Sequence, residues 1–144
     1  MKSLSATIGI AAWLSWMLSG CAGLTANAEG KKEFEANCAT CHGVSGKGDG
    51  PQSQILPKKP ANLTILAKKN GGVFPAVRVH EVIDGRLEVM AHGPRTMPVW
   101  GEEFLLKESN GRQDVSPETF TYRENRVNAK IQALVDYLSQ LQEK

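Results

Sequence analysis

The chain has 144 residues, of which 22% are charged, with fourteen glycines and seven prolines. That is enough for one small loop-rich domain with a modest core, and too little for two. The formal net charge is only +2, and the basic residues fall in scattered pairs (Lys31-Lys32, Lys58-Lys59, Lys68-Lys69). A nucleic-acid binder would need clustered basic charge with base-reading groups, so that class is excluded. No internal repeat or low-complexity tract is present.

The N-terminus reads as an export signal. Lys2 supplies a minimal positive start, no charged residue occurs from Ser3 to Asn27, and Ile8 to Leu18 is an apolar run too short to span a bilayer. Two processing sites compete. Leu18-Ser19-Gly20-Cys21 resembles a lipobox, with cleavage before Cys21 and lipid on that cysteine; Ala26-Asn27-Ala28 resembles an ordinary small-x-small site, with cleavage after Ala28. The lipobox abuts the apolar run and is preferred. The expected organisation is a signal peptide over 1–20, a short linker over 21–28 and a domain over 29–144. Lipidation of Cys21 accounts for the odd cysteine among three, and a multiply acylated cysteine suffices for stable anchoring.

Along the domain, the pattern predicts a first helix from Glu29 to Thr40, with Phe34, Cys38 and Cys41 on one face. Gly43 to Pro60 reads as loop. Asn62 caps a short helix through Lys69, and Asn70-Gly71 supplies a left-handed exit. Pro75 suits a first helical turn, after which Ala76, Val79, Val82 and Ile83 form an apolar face ending at Gly85. Val77 to Val79 also permits a strand. Pro98 opens a further helix through Lys107, stopped by Asn110-Gly111, and Asn110 to Thr121 reads as an exposed connection. The last helix starts from a capping box at Thr121 and Glu124, with Val127, Ile131, Leu134, Leu138 and Leu141 as its apolar stripe and Tyr137 beside it. The fold class is all-α, with four to five helices.

Chemistry concentrates at Cys38-Ala39-Thr40-Cys41-His42. Cys-x-x-Cys-His is the attachment signature of c-type haem: two thiols form thioethers with the vinyl groups, and the adjacent histidine is held against the iron. A redox dithiol would need a βαβ setting that is missing. A structural zinc would need two more ligands, and Cys38, Cys41, His80 and His92 match no familiar finger spacing. The sixth iron position has four candidates: Met90, Met97, His80 and His92. Met97 is preferred, because Pro98 stiffens the loop that carries it; Met90 reads better as core filler, and His92 is the serious rival. Trp100, Arg78, Arg86 and Arg95 are candidate partners for haem propionates.

From about Glu29 onward, the chain resembles a monohaem class I cytochrome c of the small bacterial periplasmic kind. The resemblance implies that the N- and C-terminal helices cross beside one covalent haem, with Gly30, Phe34 and Tyr137 at the crossing and Met97 capping the iron. It also implies that the Pro51 carbonyl, in Gly48-Asp49-Gly50-Pro51, accepts the N–H of axial His42. Leu105 to Phe120 departs from the family's compact pattern and reads as an extra connection. The expected function is single-electron transfer on the periplasmic side by a non-enzymatic carrier, with redox partners such as an oxidase, a dehydrogenase or a denitrification complex. The alternatives are an open iron that binds gases or reduces peroxide, and a cytochrome subunit of a larger oxidoreductase.

Overall fold

A computed structural model describes residues 21–86, 97–111 and 116–143. Residues 1–20, expected as a signal peptide, and Met90, His92 and Arg95 lie outside the described residues. Within them are six α-helices and no strand: α1 Cys21–Asn37, α2 Ala39–His42, α3 Leu66–Lys69 (preceded by a 3₁₀ turn, Leu63–Ile65), α4 Ala76–Asp84, α5 Trp100–Ser109 and α6 Pro117–Gln140. The all-α expectation holds, and the segment around Val77 to Val79 is helical.

The frame is the crossing of α1 and α6, the most extensive helix–helix contact. Gly30 makes it possible: a Cβ there would overlap the Ala133 carbonyl oxygen and lie 2.9 Å from the Tyr137 Cβ. Phe34, fully buried one turn further on, meets Tyr137 with ring centroids 5.4 Å apart at 50°, a tilted arrangement that suits the ring quadrupoles. Val127, Ile131, Leu134 and Leu138 of α6 form the buried stripe and join Val79 and Ile83 of α4 and Phe104 of α5 in one core. Lys130 fastens the helices at the surface, 3.5 Å from Glu33 of α1 and 3.3 Å from Glu108 of α5.

Three boundaries differ from the sequence reading, each for a local reason. Residues 21–28, expected as a linker, form the first turns of α1. The last helix begins at Pro117: Ser116 is its N-cap, accepting from the Thr119 amide, with proline at the first helical position. The capping box at Thr121 does not form, because the Thr121 hydroxyl bonds the Pro117 carbonyl at 2.8 Å and Glu124 bonds Arg86. Within Leu105 to Phe120, expected as a connection, residues 105–109 are the end of α5 and 117–120 the start of α6. Pro98 precedes α5 and does not open it, since the first helical bonds run from Glu102 and Glu103 to the Val99 carbonyl.

The predicted stops are present. Asn62 accepts from the Thr64 amide at the start of the 3₁₀ turn, Gly85 ends α4 in the left-handed region, and Asn110 ends α5 with φ 48°. At the other end of the chain, the Gln142 side chain bonds the Leu63 carbonyl and the Ala67 amide, and the Glu143 carboxylate accepts from the buried Thr64 hydroxyl. These bonds hold the turn carrying Leu63 and Leu66 against α6.

Candidate functional site

The Cys38–His42 segment follows α1 after a tight step at Cys38. The Cys38 amide still bonds the Phe34 carbonyl at 2.9 Å, and the Cys41 and His42 amides both return to the Cys38 carbonyl. One turn of helix therefore carries two cysteines and a histidine in a fixed relation.

The glycine-rich loop supports that turn from below. A helix end leaves carbonyls without partners, and the loop supplies amides to them: Gly48 to His42, Gly50 to Cys41 and Gln52 to Thr40, at 2.7, 3.2 and 3.0 Å. Gly50 cannot be replaced without movement, because a Cβ would sit 2.6 Å from the Ala39 carbonyl oxygen.

Above the turn lies a cavity of about 330 Å³. Cys38 and His42 line it together with Phe34 of α1, Leu63 and Leu66, Val79 and Ile83 of α4, Leu134 and Leu138 of α6, and Met97. Lys69, Asn70 and Arg78 supply its polar margin. The walls are apolar and the charge is cationic, a composition suited to a flat hydrophobic molecule with peripheral carboxylates. Cys41 stands on the adjoining turn, its thiol 3.7 Å from the Gln52 Oε1. Cys38 and Cys41 form no disulfide with each other.

The electrostatics follow from burial. The Cys38 thiol is pushed up to about 12, chiefly by burial and then by the charges of Glu33 and Cys41, so it stays protonated. Burial holds His42 below its ordinary value, against the opposing effect of its hydrogen bond to the Ala61 carbonyl, and favours the neutral imidazole. Its Nδ1 is 3.0 Å from the Ala61 carbonyl oxygen. A carbonyl only accepts, so Nδ1 carries the proton and Nε2 keeps a bare lone pair, the state a metal ligand requires.

The expected partner of His42 was Pro51; its partner is Ala61. Pro51 is exposed in the loop that supports α2 from below, whereas Ala61 is delivered beside the ring by the bond from the Leu63 amide to the Gly46 carbonyl, 2.7 Å. A backbone acceptor has no side-chain signature. Trp100 also differs from expectation: it packs on Phe104 with centroids 5.7 Å apart and is not among the described residues lining the cavity. Of the arginines considered for propionates, Arg78 lines the cavity, whereas Arg86 is engaged by Asp84 and Glu124. His80 lies on α4 outside the lining. Sequence reasoning did not single out Lys69, which the exit at Asn70-Gly71 leaves at the cavity margin. Among the described residues, no cluster of three or more His, Cys, Asp or Glu side chains could hold a bare metal ion.

A model of the cytochrome c family matches residues 27–142, and the chain belongs to that family. Comparison with curated proteins and with solved structures gave no match. Members of the family bind haem c covalently, and the site fits that group: two cysteines three residues apart, a neutral histidine with Nε2 available, an apolar cavity lined by Cys38 and His42, and Lys69 and Arg78 among its lining residues. Cys38 and Cys41 can hold the group as thioethers, and Lys69 and Arg78 can meet its carboxylates. The family points to haem-based electron transfer.

Proposed function

We propose that this protein is an exported single-electron carrier in which His42 and Met97 provide the axial ligands and Cys38 and Cys41 the covalent attachment. The observation carrying the proposal is that Met97, far along the chain from the motif, lines the same apolar cavity as Cys38 and His42. Bound haem supplies one-electron exchange between ferric and ferrous iron. The chain does the rest. Ala61 orients the imidazole and raises its basicity through Nδ1. The apolar walls exclude water, and Met97 closes the position where a substrate would otherwise bind. With His42 and Met97 as its two ligands, the chain would hold bound haem without rearranging as it gains or loses an electron.

Export rests on the N-terminal signal pattern, and lipid attachment at Cys21 on its lipobox. The resulting location is the periplasmic face of a membrane, where an oxidase, a dehydrogenase or a denitrification complex would dock briefly through a small interface. The mass of the mature N-terminus tests the anchor: a start at unmodified Glu29 refutes it.

The ligand set is tested optically. The ferric protein should display a methionine–iron charge-transfer band that disappears in Met97→Ala. If the reduced wild type binds carbon monoxide spontaneously, the iron is open and the carrier reading fails.

A further inference from the structure

Arg86 is the last described residue before the ten-residue stretch 87–96, which leads directly to Met97. Its Nε donates to Asp84 Oδ1 at 2.6 Å and its Nη2 to Asp84 Oδ2 at 3.2 Å, while Nη1 donates to Glu124 Oε1 at 2.6 Å. All three side chains are largely buried, at 23%, 16% and 21% exposure. Asp84 ends α4 and Glu124 lies in the second turn of α6. A third helix closes on the same group: a Cβ on Gly101, in the first turn of α5, would overlap the Asp84 carboxylate and lie 3.0 Å from Arg86 Cδ.

One guanidinium therefore gathers α4, α5 and α6, and it does so where the chain departs toward Met97 and where it comes back. Gly101 is four residues past Met97, so both ends of the segment delivering that side chain are tied to one node. The same node sets the position of α4, whose Val79 and Ile83 form part of the cavity wall. We infer that Arg86, held by Asp84 and Glu124, is a positioning residue that keeps Met97 at the cavity. The inference rests on the Met97 ligation proposed above.

A bidentate charged pair shielded from water is stronger and more directional than a surface pair. Removing the guanidinium also leaves two carboxylates facing each other, which drives α4 and α6 apart. The state with Met97 away from the iron then gains population, and any competitor for that position binds more tightly in proportion.

The test uses the full-length, haem-loaded ferric protein with imidazole as competitor, followed by loss of the charge-transfer band. Arg86→Gln should lower the apparent Kd for imidazole roughly tenfold, and Arg86→Lys, which keeps the charge without the fork, should fall between it and wild type. Glu124→Gln leaves the Asp84 pair intact; it should shift the Kd in the same direction by less, and it serves where Arg86→Gln does not fold. Arg126→Gln breaks the 2.6 Å Arg126–Glu108 pair some two turns away along α5, and should lower thermal stability without moving the Kd. If Arg86→Gln and Glu124→Gln keep the band and bind imidazole within about threefold of wild type, the node is scaffold only and the inference is wrong. A wild type without the band overturns the Met97 reading itself, and this inference with it.

Discussion

Replacing Gly30 with alanine sets two effects of opposite sign against each other. Helix propensity alone favours Gly30→Ala by about 1 kcal/mol, because α1 continues through this position. The crossing opposes it. The new Cβ would overlap the Ala133 carbonyl oxygen, 2.7 Å from the carbonyl carbon and 2.9 Å from Tyr137 Cβ. These are backbone and near-backbone atoms that cannot rotate away, so the helices must separate. Overpacking of this kind costs about 1–3 kcal/mol. Separation also loosens the Phe34–Tyr137 ring pair, worth roughly 0.5–1.5 kcal/mol, and thins the contacts of Ile131 and Leu134. The sum exceeds the propensity gain by about 0.5–3.5 kcal/mol, which lowers Tm by about 2–18 °C in a domain of this size. Far-UV circular dichroism of the haem-loaded protein, melted beside wild type, measures it. An unchanged or raised Tm would refute the close-approach argument, since that is what propensity alone predicts.

Further predictions concern attachment, core, charge and pH. In Cys38→Ala/Cys41→Ala the pigment should be extracted by acidified organic solvent, and in either single variant it should be retained; a coloured protein residue in the double variant would overturn thioether attachment. Phe104→Ala removes a fully buried ring and should cost about 3–5 kcal/mol by denaturant titration; a loss under about 1 kcal/mol would mean the site collapses freely. Arg78→Gln takes a cation from the cavity margin, and the haem reduction potential should fall because the ferric charge is then less disfavoured; protein-film voltammetry reads the direction. Glu108 is held below its ordinary value, first by its hydrogen bond from Arg126 and then by that from Lys130. Its folded pKa is depressed, so its stabilisation is full above the ordinary glutamate range of about 4.3 and is lost as pH falls through the folded value. Melts across that range should show Glu108→Gln less stable than wild type at neutral pH and equal to it in strong acid; a constant gap would refute the linkage.

The parts of this molecule legible in its sequence are those where a side chain carries its own instruction. The apolar stripe on α6, the Asn62 cap and the Cys38–His42 motif each specify local geometry without reference to distant residues, whereas Gly30 was legible only through the family resemblance, because its partner Ala133 is far along the chain. The start of α6 was misread because Thr121 and Glu124 carry a capping pattern that tertiary contacts override: Glu124 is drawn to Arg86, across 38 residues of sequence. Ser116-Pro117-Glu118 is an equally good start signal, a serine N-cap followed by proline at the first helical position. The acceptor for His42 was assigned to the wrong loop because any backbone carbonyl can serve, and only the Gly46–Leu63 bond decides which one arrives. The Arg86 node was invisible for the same reason, since ion pairs between separate helices leave no periodic trace.

The dominance of the α1–α6 crossing has a kinetic side. Gly30 and the Ala133 carbonyl it packs against are separated by about 100 residues, so bringing them together costs roughly 4 kcal/mol in loop-closure entropy beyond the constant term. α6 also packs on α4 and α5, so its docking is the step that joins the two ends of the chain around the cavity. A nascent or truncated chain ending before α6 would present the two thiols and the histidine yet lack Leu134 and Leu138. Such a fragment could be labelled at its cysteines, but its pigment would remain open to solvent.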